Sequence, residues 1–90
     1  MIEALGIIET VGFTPAVQAA DAAVKSASVR LLEIRLAMAL GGKAFCTITG
    51  DVAAVQSAVD TGAKLIADKG LLVNKVVIAN PRQELLSEMI

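Results

Sequence analysis

Between Ser28 and Asp51 the chain reads SVRLLEIRLAMALGGKAFCTITGD, two β-patterned runs joined by a Gly-Gly turn and closed by an aspartate that opens a helix. Side chains alternate across a strand with a period of two, so Leu32, Ile34, Leu36 and Met38 share one face. Arg30, Glu33 and Arg35 interrupt the same run, which predicts a half-solvated strand near a sheet edge. On the return strand Ala44, Cys46 and Ile48 take one face, and Phe45, Thr47 and Thr49 the other. The turn from Ala39 to Gly42 carries no charge and, at its tip, almost no side-chain bulk. Copies of the chain meeting around an axis at that tip would bring their backbones close and leave a narrow opening.

The sequence on either side supplies matching elements. Glu3 to Thr10 sets Leu5 and Ile7 against Gly6 and Ile8, a first strand that Gly12 breaks. Thr14 followed by Pro15 predicts a helix start, with Thr14 as the cap and Pro15 at the first helical position, where its missing N–H is harmless. Val17, Ala20, Val24 and Ala27 then step by three and four opposite Gln18, Asp21 and Lys25, as in an amphipathic helix. After the hairpin, Asp51 is the expected N-cap of a second helix with Val52, Val55, Val59, Gly62 and Ile66 inward, and Gln56, Asp60, Lys64 and Asp68 outward. Lys69-Gly70 stops that helix, Leu71 to Ala79 forms the last strand, and Asn80-Pro81 ends it. Gln83 to Met89 has the pattern of a short closing helix.

The order strand, helix, strand, strand, helix, strand, with right-handed crossovers, predicts a single α+β domain over residues 1–90: a ferredoxin-like split βαβ sandwich plus a short C-terminal helix. Two helices cover one face of the sheet. For the strand faces, Leu5, Ile7, Phe45 and Val77 are expected on one side and Ile8, Cys46, Ile48 and Ile78 on the other, so neither side reads as plainly solvated.

A domain of this size has much surface for its volume, yet the chain is 56% hydrophobic with a mean hydropathy of +0.71. The uncharged stretches Thr10 to Ala20 and Val52 to Val59 fall short of the ~20 residues of a membrane helix, so the excess is expected to be buried against further copies or a partner. Eight basic and nine acidic residues, evenly spread, give no electrostatic case for nucleic acid or anionic lipid. The start MIEALGIIET has no basic region or cleavage site of a leader, which points to the cytoplasm. Cys46, the single cysteine in a chain without histidine, reads as a small buried apolar residue.

Reactive readings are weak. Gly41-Gly42-Lys43 lacks the remainder of a phosphate loop, since Lys43 is followed by Ala44. An RNA-recognition module with the same element order needs aromatics on both central strands, and here Phe45 stands alone. Of the acids Glu9, Glu33, Asp51 and Asp60, two are explained by a cap and a solvated helix face, and no pair is spaced to enclose a substrate. An enzyme is not expected, and neither a cofactor nor a metal.

EALGIIET, AADAAVKSASV, TGDVAAVQSAV and VVIANP, in this order, make the chain similar to the bacterial microcompartment shell domain over nearly its whole length. That resemblance implies a structural protein: six domains form a hexameric tile with a central pore for small metabolites, and tiles join other shell proteins edge to edge around enclosed enzymes. It implies tile-edge roles for Lys25, which matches the family's edge lysine, and for Asn80, which falls where the family's edge arginine sits in a Pro-Arg-Pro-His segment. Arg82 falls where the histidine would be and is the substitute cation for a rearranged edge.

At the pore, Met38-Ala39-Leu40-Gly41-Gly42 replaces the Lys-Ile-Gly-Ser-Gly of common hexamer-forming members, so the expected lining is Ala39, Leu40, Gly41 and Gly42. RLAMALGGKAF and KGLLVNKVVI look more like the second half of tandem, trimer-forming members. Some of those hold an iron-sulfur cluster through a loop cysteine, which this loop lacks. The competing expectation is an oligomeric ferredoxin-like regulator that binds a metabolite.

Overall fold

Strand β1 (Ala4–Val11) lies between β3 (Lys43–Gly50) and β4 (Leu72–Ala79), antiparallel to both, and β3 carries β2 (Arg30–Ala37) on its far side. The four-stranded sheet therefore runs β2-β3-β1-β4, and helices α1 (Phe13–Ser26) and α2 (Val52–Ala67) cross over it. This is the split βαβ sandwich the element order predicts, with β2 at an edge as its charges require. The computed structural model describes residues 3–37 and 42–80. The expected helix at 83–89 lies outside them.

Register assigns the faces. Cross-strand partners point to the same side of a sheet, and Gly6 pairs with both Ile48 and Val77. A Cβ on Gly6 would come within 2.5 Å of the Val59 side chain, so this rung faces the helices. Ile8, Cys46 and Ile34 share that side, where Ile8, Cys46, Ile48, Val55, Val59 and Ile66 form the centre of the core. Leu5, Ile7, Phe45 and Thr47 lie on the face away from the helices, where Leu5 and Thr47 are nonetheless fully buried. Val77 and Ile78 are exchanged relative to the sequence expectation: Val77 faces the helices opposite Gly6, and Ile78 pairs with Leu5 on the other side. A period of two groups residues onto faces without saying which face is which, and β4 is apolar on both.

Helix α1 departs from expectation at its start and in its rotation. It begins at Phe13 behind Gly12, whose φ of +101° favours glycine, and no side chain caps it. Thr14 is thus inside the first turn, and Pro15 stays within the stretch whose N–H groups have no intrahelical partner. The buried residues are Ala16, Ala19, Ala20 and Ala23, while Val17 and Val24 are 41% and 37% exposed. The reason is the seam with α2. A Cβ on Gly62 would meet the Ala19 carbonyl oxygen at 2.7 Å and Ile8 Cδ1 at 2.9 Å, so the helices approach through side chains no larger than a methyl.

Helix α2 follows its pattern more closely. Val55, Val59, Gly62 and Ile66 are buried with Ala58 and Ala63, while Val52 in the first turn is exposed. Asp51 caps it as expected, its Oδ1 accepting from the Ala54 N–H at 2.8 Å. At the far end Gly70, at φ +73°, lets the Leu71 N–H reach the Ile66 carbonyl at 3.1 Å.

Two outcomes test this core. Gly62→Ala is expected to lose about 2 kcal/mol of stability, read as a lower urea midpoint, because backbone must move to admit the methyl; an unchanged midpoint would mean the helices separate freely. Burial pushes the Cys46 thiol up to about 11, from an ordinary 9.0. Stability gained by keeping it neutral is complete below pH about 9 and is lost as pH rises towards 11. A disulfide-exchange reagent at pH 8 is accordingly expected to label Cys46 only in denaturant, and rapid labelling of folded protein would contradict its placement.

Candidate assembly and pore surfaces

The strand register separates the candidate residues into two groups at opposite ends of the sheet. At one end Val11 pairs with Lys43, and Lys43 with Ala37, the last described rung before the connection between β2 and β3. Gly42, on the returning side of the turn, has φ +87° and open space where a Cβ would stand. Its left-handed backbone suits glycine, as the Gly-Gly turn in the sequence implied. Ala39, Leu40 and Gly41 lie outside the described residues.

At the other end Ala4 pairs with Gly50 and Ala79, and Arg30 with Thr49. Lys25 sits in the last turn of α1, just before the chain enters β2 here. Its side chain is 74% exposed, with Nζ 3.0 Å from Asp21 Oδ2. Such an exposed pair is weak, so the ammonium remains available to a partner. Asn80 belongs to the same end: its backbone N–H donates to the Glu3 carbonyl at 2.6 Å and its φ is +50°. Eight-residue strands rising about 3.3 Å per residue put some 25 Å between this end and the turn. Arg82 lies outside the described residues.

The Lys25 and Asn80 end also carries an open cleft of about 350 Å³, lined by Glu3, Ser28, Val29, Arg30, Thr49, Gly50 and Asp51. Sequence reasoning missed it as a surface. Its residues come from the position before β1, the connection from α1 to β2, the start of β2, the end of β3 and the N-cap of α2, and only the register brings them together; the Gly50-Asp51 junction was the one visible signal. A Cβ on Gly50 would stand 3.2 Å from the Ser28 carbonyl, so the junction is packed against the chain leaving α1.

The candidate acids do not converge. Asp51 is a cap, and Asp60 is held below the usual carboxylate range by a hydrogen bond from Lys75, at 3.1 Å, and then one from Gln56. Glu33 gives Oε2 to Arg35 at 2.9 Å, and it stands across a rung from Thr47. Glu33 Oε1 and Thr47 Oγ1 are both buried without a hydrogen-bond partner. Among the described residues no three His, Cys, Asp or Glu side chains are grouped to hold a metal ion, and no helix is long and apolar enough to cross a membrane.

Comparison with known proteins identifies the family. The BMC domain model matches residues 4–81. The microcompartment shell protein PduT of Citrobacter freundii is 36% identical over 88 residues, covering 98% of this chain and 48% of that protein. The carboxysome shell protein CcmK3 of Synechococcus elongatus is 38% identical over 88 residues, covering 96% of this chain and 84% of its own length. A crystal structure of a microcompartment protein from Desulfitobacterium hafniense superposes with a TM-score of 0.90 at 49% identity, over 97% of this chain and 48% of that one. The chain thus spans about half the length of two of these relatives and most of the third. A family match over most of the chain, together with a shared fold at 49% identity, makes this chain a member of the BMC-domain family.

Proposed function

We propose that this chain is a non-enzymatic tile of a bacterial microcompartment shell in the cytoplasm, with six domains around a central pore formed by Ala39, Leu40, Gly41 and Gly42. The observation that carries the reading is the separation of the two sets of residues. A tile needs its axis and its rim at opposite ends of each domain, and the separation of the Ala37–Lys43 rung, from which the turn departs, from the end that carries Lys25 and Asn80 supports that reading. Lys25 and Asn80, with Arg82, form the contact with neighbouring tiles and other shell proteins, and the closed shell surrounds enzymes.

Exposed apolar side chains support an obligate assembly. Phe13, Val17 and Val24 on α1 and Leu31 and Leu36 on the edge strand β2 are each more than a third exposed in the single chain, a cost that a ring of copies removes. The half-length match to PduT and to the Desulfitobacterium protein supports kinship with one half of a tandem chain, in which three chains supply six domains. A pore of backbone and small groups would pass small polar metabolites. A second reading, an oligomeric metabolite-binding regulator, has the charged cleft at Glu3, Arg30 and Asp51 in its favour.

Light scattering of the purified chain followed by electron microscopy tests assembly: rings of six domains that extend into sheets or closed shells are expected. A stable monomer or dimer that binds one small molecule tightly and saturably would favour the regulator. Lys25→Ala is expected to leave rings intact while abolishing extended sheets, and sheets of unchanged extent would remove Lys25 from the rim. Gly41→Leu is expected to cut small-solute flux at least severalfold with assembly preserved, and unchanged flux would remove the turn from the pore.

A further inference from the structure

We propose that Asn74 and Lys75, beside a bulge in β4, close this free edge of the sheet to further strands, so that copies of the chain associate through side chains and not by extending the sheet. This holds for the single domain whether or not it forms tiles. Strand β4 invites strand addition by its composition: LVNKVVIA is rich in β-branched residues, has a single charge and no proline, and lies at one edge of the four-stranded sheet. Short apolar runs of this kind, left on an edge, pair with copies of themselves. Val73 and Val76 are 38% and 42% exposed, so burial does not hide the run. A chain that is 56% hydrophobic and meets its own copies closely gives such pairing every opportunity.

One hydrogen bond sets the direction of the backbone groups. The Asn80 N–H donates to the Glu3 carbonyl at 2.6 Å, on the β1 side. Backbone groups alternate in direction along a strand, so the amides of Val76 and Ile78 also face β1, while those of Lys75, Val77 and Ala79 face out from the edge. Asn74 Oδ1 accepts from the outward Lys75 amide at 2.8 Å. A strand arriving from outside finds that donor occupied. The Lys75 ammonium reaches Asp60 on α2 at 3.1 Å, and Asp60 also accepts from Gln56 at 3.1 Å. Laying a strand along this stretch would take water from an exposed ion pair without replacing it.

Irregular pairing adds to the protection. Inside the sheet, β1 and β3 pair without a shift from Ala4 and Gly50 to Val11 and Lys43. Both edge strands are shifted. Leu72 pairs with Thr10 and Asn74 with Glu9, which leaves Val73 extra in β4, and Leu32 is extra in β2 between Leu31 and Glu33. A bulge twists an edge and interrupts the regular ladder that another strand needs. In β4 the bulge, the Asn74 amide and the Lys75 charge are consecutive, in the middle of the apolar run they interrupt.

The test compares wild type, Asn74→Ala and Ile66→Val. Asn74→Ala removes the acceptor without adding apolar bulk. Ile66→Val trims a fully buried side chain, which lowers the urea midpoint more than an exposed substitution does, and so controls for lost stability alone. In native-state hydrogen exchange the Lys75 amide is expected to exchange about tenfold faster in Asn74→Ala than in wild type. Under agitation, Asn74→Ala is expected to form thioflavin-positive fibres about threefold sooner than wild type, and well before Ile66→Val. An unchanged Lys75 exchange rate in Asn74→Ala, a fibre time equal to that of wild type, or Ile66→Val fibres arriving as early as those of Asn74→Ala would each overturn the proposal.

Discussion

The contact on which the rest of this fold depends is the seam between the two helices. Gly62 of α2 sits over the Ala19 carbonyl and the end of Ile8, with no room for a methyl. Both helices must lie close enough together for a four-stranded sheet to hold them side by side, and small residues at the seam are what allow it. Alanine therefore dominates the buried face of α1, and the larger valines of that helix are displaced to its flank. The same arrangement leaves the two lateral edges of the domain unlike one another. The edge of α1 and β2 exposes Val17, Val24, Leu31 and Leu36 beside its ion pairs, whereas that of α2 and β4 carries Asp60, Gln56 and Lys75 in a hydrogen-bonded cluster.

Much of the architecture was legible before any coordinates. Strand and helix order followed from periodicity, and Asp51 was readable as a cap because an aspartate before an apolar stripe has few other uses. The misreadings have physical causes. Alanine-rich helices have weak amphipathic signals, so Val17 and Val24 drew the stripe to the wrong side of α1, and the tight α2 contact decided its rotation. Thr14-Pro15 looked like a start, but a glycine with positive φ had already turned the chain two residues earlier. Val77 and Ile78 are both apolar, so only pairing with β1 assigns their faces.

The candidate surfaces were legible to a different degree. A bare Gly-Gly turn is visible in one dimension, and Gly42 adopts the left-handed conformation such a turn needs. That Lys25 and Asn80 share an end of the molecule is not visible in one dimension, because 55 residues of chain separate them and strand register alone brings them to the same end. The charged cleft beside them is harder still: Glu3, Arg30 and Asp51 are individually unremarkable surface residues.

The hydrogen bond from the Asn80 N–H to the Glu3 carbonyl lies just beyond the rung where Ala4 pairs with Ala79. Strand β4 is an edge strand held in the sheet by β1 alone, so this bond acts as a clasp on its outer end, and β4 cannot peel away from that end until the clasp opens.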